Sequence, residues 1–230
     1  MGPSSYNRHP LGPLLVLALA ALLALLVALF LVEAVAYAYR SIGIGEGALF
    51  ALVIASLLGG TVNIPIARMR SEPVIEVGEF VVFGVRYRVP LVRRPSSTII
   101  AVNLGGALIP TAVSLLLVVK NGIWWQAAAA VAIVAAAVHV LARPVPGLGI
   151  AVPGLAPPLL AAATALTLAP HTAAAVAYVA GALGTLIGAD LLNLRRIGSL
   201  GAGVVSIGGA GSFDGIFLTA IVAVLLVGLS

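Results

Sequence analysis

Long apolar runs separated by short polar segments dominate the pattern of this chain. A helix that crosses a bilayer needs about 20 mostly apolar residues, and several runs reach or approach that length. We therefore predict an all-α polytopic membrane protein with about seven transmembrane helices. The fifth predicted span is short and is bounded by prolines, so an interfacial or broken helix is an alternative there. The predicted spans are residues 11–38, 44–66, 97–119, 124–142, 157–170, 172–192 and 213–230.

One polar segment, residues 68–96, is long enough to fold outside the membrane. It carries valines and aromatic residues near Gly78 and Gly84, and apolar and basic side chains alternate over residues 85–89. Such alternation is typical of a strand with one solvated face. We predict a small cytoplasmic β-hairpin, inserted into a single membrane domain that covers residues 1–230. Its arginines are expected to lie on anionic lipid headgroups.

The composition agrees with a membrane protein. Hydrophobic residues make up 62% of the chain, charged residues make up 8%, and the mean hydropathy is +1.21. These values lie far outside the range of soluble domains. The absence of cysteine excludes disulfides and thiolate metal sites, and His139 has no second histidine at ligand spacing, so we predict no metal site and no cofactor. All basic residues except Lys120 are arginines, a bias that fits a thermophilic source.

The basic residues also predict an orientation, because cytoplasmic loops of membrane proteins carry an excess of Lys and Arg. If the N-terminus is cytoplasmic, seven spans place only Arg40 and Lys120 outside. Trp124 and Trp125 would then anchor the outer interface. We predict a multi-pass protein of the cell membrane with its N-terminus in the cytoplasm and its C-terminus outside. The remaining basic residues would lie inside: Arg8, Arg68, Arg70, Arg86, Arg88, Arg93, Arg94, Arg143, Arg195 and Arg196.

Acidic residues are rare, and only Asp190 and Asp214 are aspartates. Asp190 lies near the end of the sixth predicted span and Asp214 at the start of the seventh, so both are expected at the cytoplasmic side. Two helices joined by a loop of about 20 residues are expected to be antiparallel neighbours, which would bring the two carboxyl groups to similar depth. Ionisable side chains in membrane helices are costly and often mark a function.

Asp214 lies in the stretch "GSFDGIFLTAIVA", and Asp190 lies in "LIGADLLNL". The first resembles the Gly-x-Gly-Asp stretch that opens a helix in presenilins and signal peptide peptidases, although Phe213 stands at the second glycine. The second is similar to the preceding helix of that family, although Ala189 stands where a tyrosine is usual. This resemblance to the GxGD intramembrane aspartyl proteases covers residues 180–222. It implies that the two aspartates are a catalytic dyad that hydrolyses peptide bonds of membrane-embedded substrates.

The Pro-Ala-Leu motif of that family follows its second aspartate, whereas the nearest similar stretch here is "VPGLAPPLL", residues 152–160, earlier in the sequence. We also expect the chain to belong to an uncharacterised prokaryotic membrane-protein family. Around the aspartates, glycines would let a substrate backbone approach closely, and amides would line a polar cavity. Hydrogen bonding between helices is the alternative role of the amides. The predicted substrate-binding residues are Asn63, Asn103, Asn193, Gly208, Gly209, Gly211 and Phe213.

Other interpretations stay open. Asp214 would also serve as the N-cap of the last helix, whereas Asp190 opposes a helix dipole unless Arg195 or Arg196 folds back to it. The glycine- and proline-interrupted segments "GGTVNIP" and "NLGGALIP" are typical of a small ion- or proton-coupled transporter, and a non-catalytic membrane scaffold is a third hypothesis.

The predicted partners follow from the membrane setting. They are membrane lipids and, for the protease, a transmembrane peptide or protein substrate. No nucleic-acid partner is predicted, because three glutamates lie in the same segment as the basic residues of the hairpin and membrane spans flank it on both sides. An oligomer is compatible with the sequence.

The orientation can be tested by labelling. The chain has no cysteine, so single cysteines can be introduced into residues 68–96 as the only reactive thiols. In sealed right-side-out vesicles they should react with a membrane-impermeant maleimide only after the membrane is permeabilised. A cysteine beside Lys120 should show the opposite accessibility. Labelling of residues 68–96 from the outside would contradict the predicted topology.

Overall fold

The computed structural model describes residues 11–70, 75–76, 79–82, 85–88, 92–93, 97–145, 149–194, 196, 204–209 and 212–230. Most of this part of the chain is helical. A π-helical segment, Leu104–Leu108, leads into the third helix, and another, Leu186–Leu191, continues the sixth. The helices are α1 (Leu11–Ser41), α2 (Glu46–Gly59), α3 (Ile109–Asn121), α4 (Trp124–Leu141), α5 (Ala156–Leu168), α6 (Ala173–Thr185) and α7 (Ser212–Gly228).

Four helical stretches among the described residues are long and apolar enough to cross a membrane. They are Val16–Ser41, Leu104–Asn121, Trp124–Leu141 and Pro170–Leu191. The remaining apolar helices are shorter and cover Phe50–Gly59, Ala156–Leu168 and Gly215–Gly228. The protein is therefore mostly helical with candidate membrane spans, as the sequence predicts in outline, but three of the seven predicted spans fall short of a full crossing.

A three-stranded sheet joins segments that are far apart in the sequence. Its strands are β1 (Asn63–Arg70), β6 (Ser97–Asn103) and β9 (Val204–Ile207), in the order β1-β6-β9. β1 and β6 are antiparallel, whereas β6 and β9 are parallel. Because β6 leads into α3 and β9 precedes α7, the sheet gathers the ends of several helices at one end of the bundle.

Two predicted spans are wrong in part, because strands replace helix at residues 63–66 and 97–103. Hydropathy alone does not separate a buried strand from a helix. The segment 97–103 is rich in Thr, Ile and Val, which favour strands. In β1, Pro65 cannot donate a ladder hydrogen bond, and it lies at an edge strand beside an irregularity of register between Pro65 and Ala67, where proline is tolerated.

Three short hairpin-like pairs complete the β-structure of the described residues. β3 (Glu79–Val82) pairs with β4 (Val85–Arg88), which agrees with the predicted hairpin within residues 68–96. β2 (Ile75–Glu76) pairs with β5 (Val92–Arg93) and extends it. A further pair, β7 (Arg143–Val145) with β8 (Gly149–Ala151), connects α4 to α5 and was not predicted.

α6 is the centre of the bundle. Every residue from 175 to 182 is buried, and α6 packs against α3, α4, α5 and α7. Small residues permit this close packing: a Cβ at Gly181 would lie 3.2 Å from Ala220 Cα, and one at Gly184 would lie 2.7 Å from Val134 Cβ. In a membrane the hydrophobic effect does not drive helices together, because lipid tails are as apolar as the side chains. Close van der Waals packing matters instead, and small residues at the contacts let the backbones approach.

The backbones of α2 and of the segment that leads into α3 approach each other closely at Gly105. The approach can be tested by adding a single methyl group there, in the variant Gly105→Ala. A Cβ at Gly105 would overlap the backbone of Ser56 and Gly60. Gly105→Ala is expected to cost roughly 1–3 kcal/mol of unfolding free energy, because neither backbone can yield without moving a helix end. Gly47→Ala is the matched control, since nothing lies within 4 Å of its added Cβ. Equal denaturation midpoints for both variants would contradict this packing.

Candidate functional site

Asp190 lies in the π-helical segment Leu186–Leu191 that continues α6, and its exposed fraction is only 5%. Its Oδ2 atom accepts a hydrogen bond of 2.7 Å from the backbone amide of Gly208. π-helical bulges are rare and are often found at functional sites. The sequence prediction placed Asp190 at a helix end, and the structure adds that the carboxylate is buried and bonded to the turn after β9.

The turn after β9 has a conformation that favours glycine. Gly208 has φ +72°, in the left-handed region that residues with a Cβ rarely adopt. A Cβ there would also lie 2.7 Å from the backbone nitrogen and the Cβ of Ala107. The turn is therefore packed directly on the π-helical segment Leu104–Leu108, and Gly209 donates a 3.2 Å hydrogen bond back to Ser206 O.

The predicted amides Asn63 and Asn103 meet in the same place as cross-strand partners of β1 and β6. Asn103 is fully buried, and its Nδ2 donates to Gly60 O at 2.7 Å and to Asn63 Oδ1 at 3.1 Å. The amide of Gly106 donates to Asn103 Oδ1 at 2.8 Å. Ser206 Oγ also donates to Asn63 Oδ1, which ties β9 to β1. We call these residues the amide cluster: Asn63, Asn103 and Ser206.

Asn193 has a different environment from the amide cluster. It is fully buried, and its Nδ2 donates to the carbonyls of Gly188 and Ala189, at 2.8 Å and 3.1 Å. Arg196 folds back and donates a 3.3 Å hydrogen bond to Asn193 Oδ1. Asn193 therefore closes the end of its own helix, next to Asp190 in the sequence.

The packing of α6 on α7 fixes the level of Asp214. The two helices are antiparallel, because Gly181 approaches Ala220 while Val227 lines the same cavity as residues 173–175. Continued at an α-helical rise of about 1.5 Å per residue, this register would bring the start of α7 level with the π-helical segment that holds Asp190. Asp214 lies in the first turn of α7.

Three predictions fall outside the described part of the structure. They concern Gly211 and the side chains of Phe213 and Asp214. The stretch most similar to a Pro-Ala-Leu motif, residues 152–160, follows directly after β8, and β8 contacts the π-helical segment that holds Asp190. Its second half forms the first turns of α5, where Pro157 and Pro158 are buried.

Sequence reasoning missed Ser206 and the backbone groups of Gly60 and Gly106. Ser206 lies two residues before Gly208 in a glycine-rich stretch, which was a usable signal, whereas contact between β9 and β1 depends on a sheet that was not predicted. Within the residues that the structure describes, no three His, Cys, Asp or Glu side chains cluster so that they could hold a metal ion.

Residues 57–226 match the family described as "Protein of unknown function (DUF1614)". The chain belongs to this family. No curated protein and no solved structure matches it. The matched region includes the three-stranded sheet, the amide cluster and both aspartates, whereas α1 and most of α2 lie before it. In this DUF1614 protein the candidate site therefore lies wholly within the part that defines the family.

From the hydrogen bonds of the amide cluster we predict that removal of the Asn103 carboxamide lowers the stability of the folded protein. Asn103→Ala would remove the partners of Gly60 O and the Gly106 amide, and each buried polar group left unsatisfied costs roughly 1–3 kcal/mol. Asn121→Ala is the control, because that exposed side chain makes one hydrogen bond to its own helix at Leu117 O. Thermal unfolding in detergent should show a lower midpoint for Asn103→Ala alone. An unchanged midpoint would show that the cluster does not hold this junction together.

Proposed function

We propose that this DUF1614 protein is an intramembrane aspartyl protease in which Asp190 and Asp214 share the catalytic work. One observation carries the proposal: Asp190 is buried within an apolar bundle and accepts a hydrogen bond from Gly208. Gly208 in turn lies only six residues before Asp214. A buried carboxylate in a membrane helix is expensive and is a functional hypothesis by default.

The connection between the two aspartates is short. Gly208 lies against Asp190, and α7 begins only four residues later at Ser212. Together with the register of α6 on α7, this geometry supports a meeting of the two carboxyl groups at one level of the bundle. The resemblance of the flanking sequences to presenilins and signal peptide peptidases points to the same pair.

Such a pair has a defined chemistry. Two carboxyl groups a few ångströms apart do not both ionise, so one proton is shared between them. The ionised carboxylate takes a proton from water, and the water oxygen bonds to the scissile carbonyl carbon while the protonated carboxyl gives its proton to the carbonyl oxygen. In the collapse of the resulting gem-diol, the first carboxyl gives its proton to the leaving nitrogen, the second carboxylate takes a proton from one gem-diol hydroxyl, and the C–N bond breaks. The products are a carboxylic acid and an amine, and both carboxyl groups regain their starting protonation.

A substrate helix must unwind before its carbonyls can be attacked, because its backbone hydrogen bonds hide them. β9 is an edge strand of the β1-β6-β9 sheet and ends one residue before Gly208. In the proposed enzyme an unwound substrate segment adds to this edge, and the glycines after β9 let its backbone approach. The sequence suggested Asn63 and Asn103 as substrate contacts. In this proposal they stabilise the Gly208 turn instead, because the amide cluster holds Ser206, two residues before Gly208.

The distribution of basic residues supports access from the cytoplasm. Arg68 and Arg143 lie in strands at the end of the bundle that holds Asp190. Lys120 and residues 41–43 lie at the other end, beside the start of α6. By the positive-inside rule, the aspartates would face the cytoplasmic side. A carrier would use the glycine-rich segments to expose backbone to a solute, whereas here these segments are bonded to each other. The scaffold hypothesis stays open.

The catalytic proposal predicts loss of cleavage on neutralising either aspartate. Asp190→Asn and Asp214→Asn should each lower the cleavage of a fluorescently labelled transmembrane peptide in proteoliposomes by roughly 10²–10⁴-fold or more, because each removes one proton-transfer role. Mass spectrometry of the fragments should show the same single scissile bond for every active preparation. Both variants should remain folded, since asparagine is close in size to aspartate and caps helices nearly as well.

Glu33→Gln is the matched control, because this carboxylate is exposed on α1 and pairs with Arg40 far from Asp190 in the chain. It should cleave like the wild type. Full cleavage by either aspartate variant, or no cleavage of any membrane peptide by wild type between acidic and neutral pH, would overturn the proposal. Ion-dependent uptake of a solute by wild-type vesicles in the absence of cleavage would favour the transporter.

A further inference from the structure

A cavity of about 390 Å³ opens at the end of the bundle opposite Asp190. It lies between the end of α1, the end of α3, the Pro170–Thr172 turn before α6, and the end of α7. Some 18 residues of helix separate this turn from Asp190, which corresponds to about 25 Å along the helix axis. The cavity is therefore distinct from the aspartate site, and we call it the Lys120 cavity.

The polar groups of the Lys120 cavity suit an anion. The polar residues that line it are Lys120, His171, Thr172, Asn121 and Ser41, whose hydroxyl donates to Tyr37 O, and none of the described residues that line it is Asp or Glu. Lys120 Nζ donates one hydrogen bond, of 2.8 Å, to Gly43 O. An ammonium group has three donors, so the bond that positions Lys120 leaves donors for a ligand.

The remaining wall of the Lys120 cavity is apolar. Ile42, Val227 and the alanines at 173–175 line it, and Ile42 is buried. The volume falls in the usual range of ligand sites, about 300–1,000 Å³, and is larger than an inorganic phosphate needs. A polar rim with one cation above an apolar wall fits a ligand that carries an anionic group and a hydrocarbon part together.

Two exposed tryptophans, Trp124 and Trp125, indicate the depth of the Lys120 cavity in the membrane. Trp124 and Trp125 begin α4 directly after the end of α3, and their exposed fractions are 61% and 63%. Exposed tryptophans of membrane proteins concentrate at the level of the lipid headgroups. Lys120 lies only four residues before Trp124, so the cavity opens at headgroup level rather than within the hydrocarbon.

We propose that the Lys120 cavity binds the phosphodiester headgroup of an anionic lipid. The Lys120 ammonium group pairs with the phosphate oxygens, the Thr172 hydroxyl and the His171 imidazole bind the remaining headgroup oxygens, and the apolar wall formed by Ile42 and Val227 contacts the glycerol and the first acyl carbons. A bound lipid of this kind would tie the ends of α1, α3, α6 and α7 together. This site does not depend on the proposed protease activity.

The test is lipid binding by the full chain in dodecyl maltoside micelles, measured by native mass spectrometry. The probes are dioleoyl phosphatidylglycerol, dioleoyl phosphatidylcholine and oleic acid. Wild type should retain one phosphatidylglycerol in preference to phosphatidylcholine. Lys120→Gln should lower the phosphatidylglycerol affinity roughly fivefold, because one lysine near an anionic surface contributes about that factor, while Lys120→Arg should retain it. Glutamine keeps a donor for Gly43 O, and equal melting temperatures without lipid will confirm that each variant is folded.

Arg40→Gln is the matched control, since it removes another cation from the same end of the bundle but not from the lining of the cavity. It should leave the preference for phosphatidylglycerol unchanged. Glycerol 1-phosphate is the soluble competitor: displacement of the lipid at equal concentration would show that a free phosphate ester, not a lipid, is the ligand and would overturn the proposal. Equal binding of oleic acid, an equal loss in Arg40→Gln, or no loss in Lys120→Gln would overturn it too.

Discussion

The need to satisfy backbone polar groups where strands turn into helices is the constraint on which this structure depends. In an apolar environment an unpaired N–H or C=O group costs several kcal/mol, so irregular backbone must be bonded by the protein itself. Asn103 meets this need at the point where β6 ends and the π-helical segment begins, because its carboxamide bonds Gly60 O on one side and the Gly106 amide on the other. One buried side chain thus replaces the backbone partners that neither the strand nor the helix provides.

Other features at the same end of the bundle follow from this junction. Gly105 lies so close to Ser56 and Gly60 that a side chain would not fit, and Gly208 lies just as close to Ala107. Gly105, Gly208 and the amide cluster hold α2, α3 and the Gly208 turn together, and the amide of Gly208 then donates to Asp190. Asp190 is consequently positioned through residues such as Asn103 and Ala107, which lie more than eighty positions earlier in the chain.

The sequence predicted those features that depend on local composition. Hydropathy identified the apolar helices, alternation identified the β3–β4 pair, and the rarity of acidic residues singled out Asp190. The central sheet was missed because a short apolar segment such as 97–103 is compatible with either a buried strand or a helix. Only its pairing with distant segments decides which of the two forms. Ser206 was missed for the same reason: its partner, Asn63, lies 143 positions away. The pairing of Asp190 with Asp214 stays a prediction.

The hydrogen bond from the Gly208 amide does not by itself explain why residue 190 is an aspartate. An asparagine oxygen accepts the same bond, and it would do so without the desolvation cost of an ionisable group buried to 95%. Asn103 and Asn193 show that this protein uses neutral amides to satisfy buried backbone groups elsewhere. At position 190 the chain instead keeps a group that can lose and regain a proton, next to a turn whose shape requires glycine. The proposed proton sharing with Asp214 requires such a group at this position, whereas a purely structural acceptor for the Gly208 amide does not.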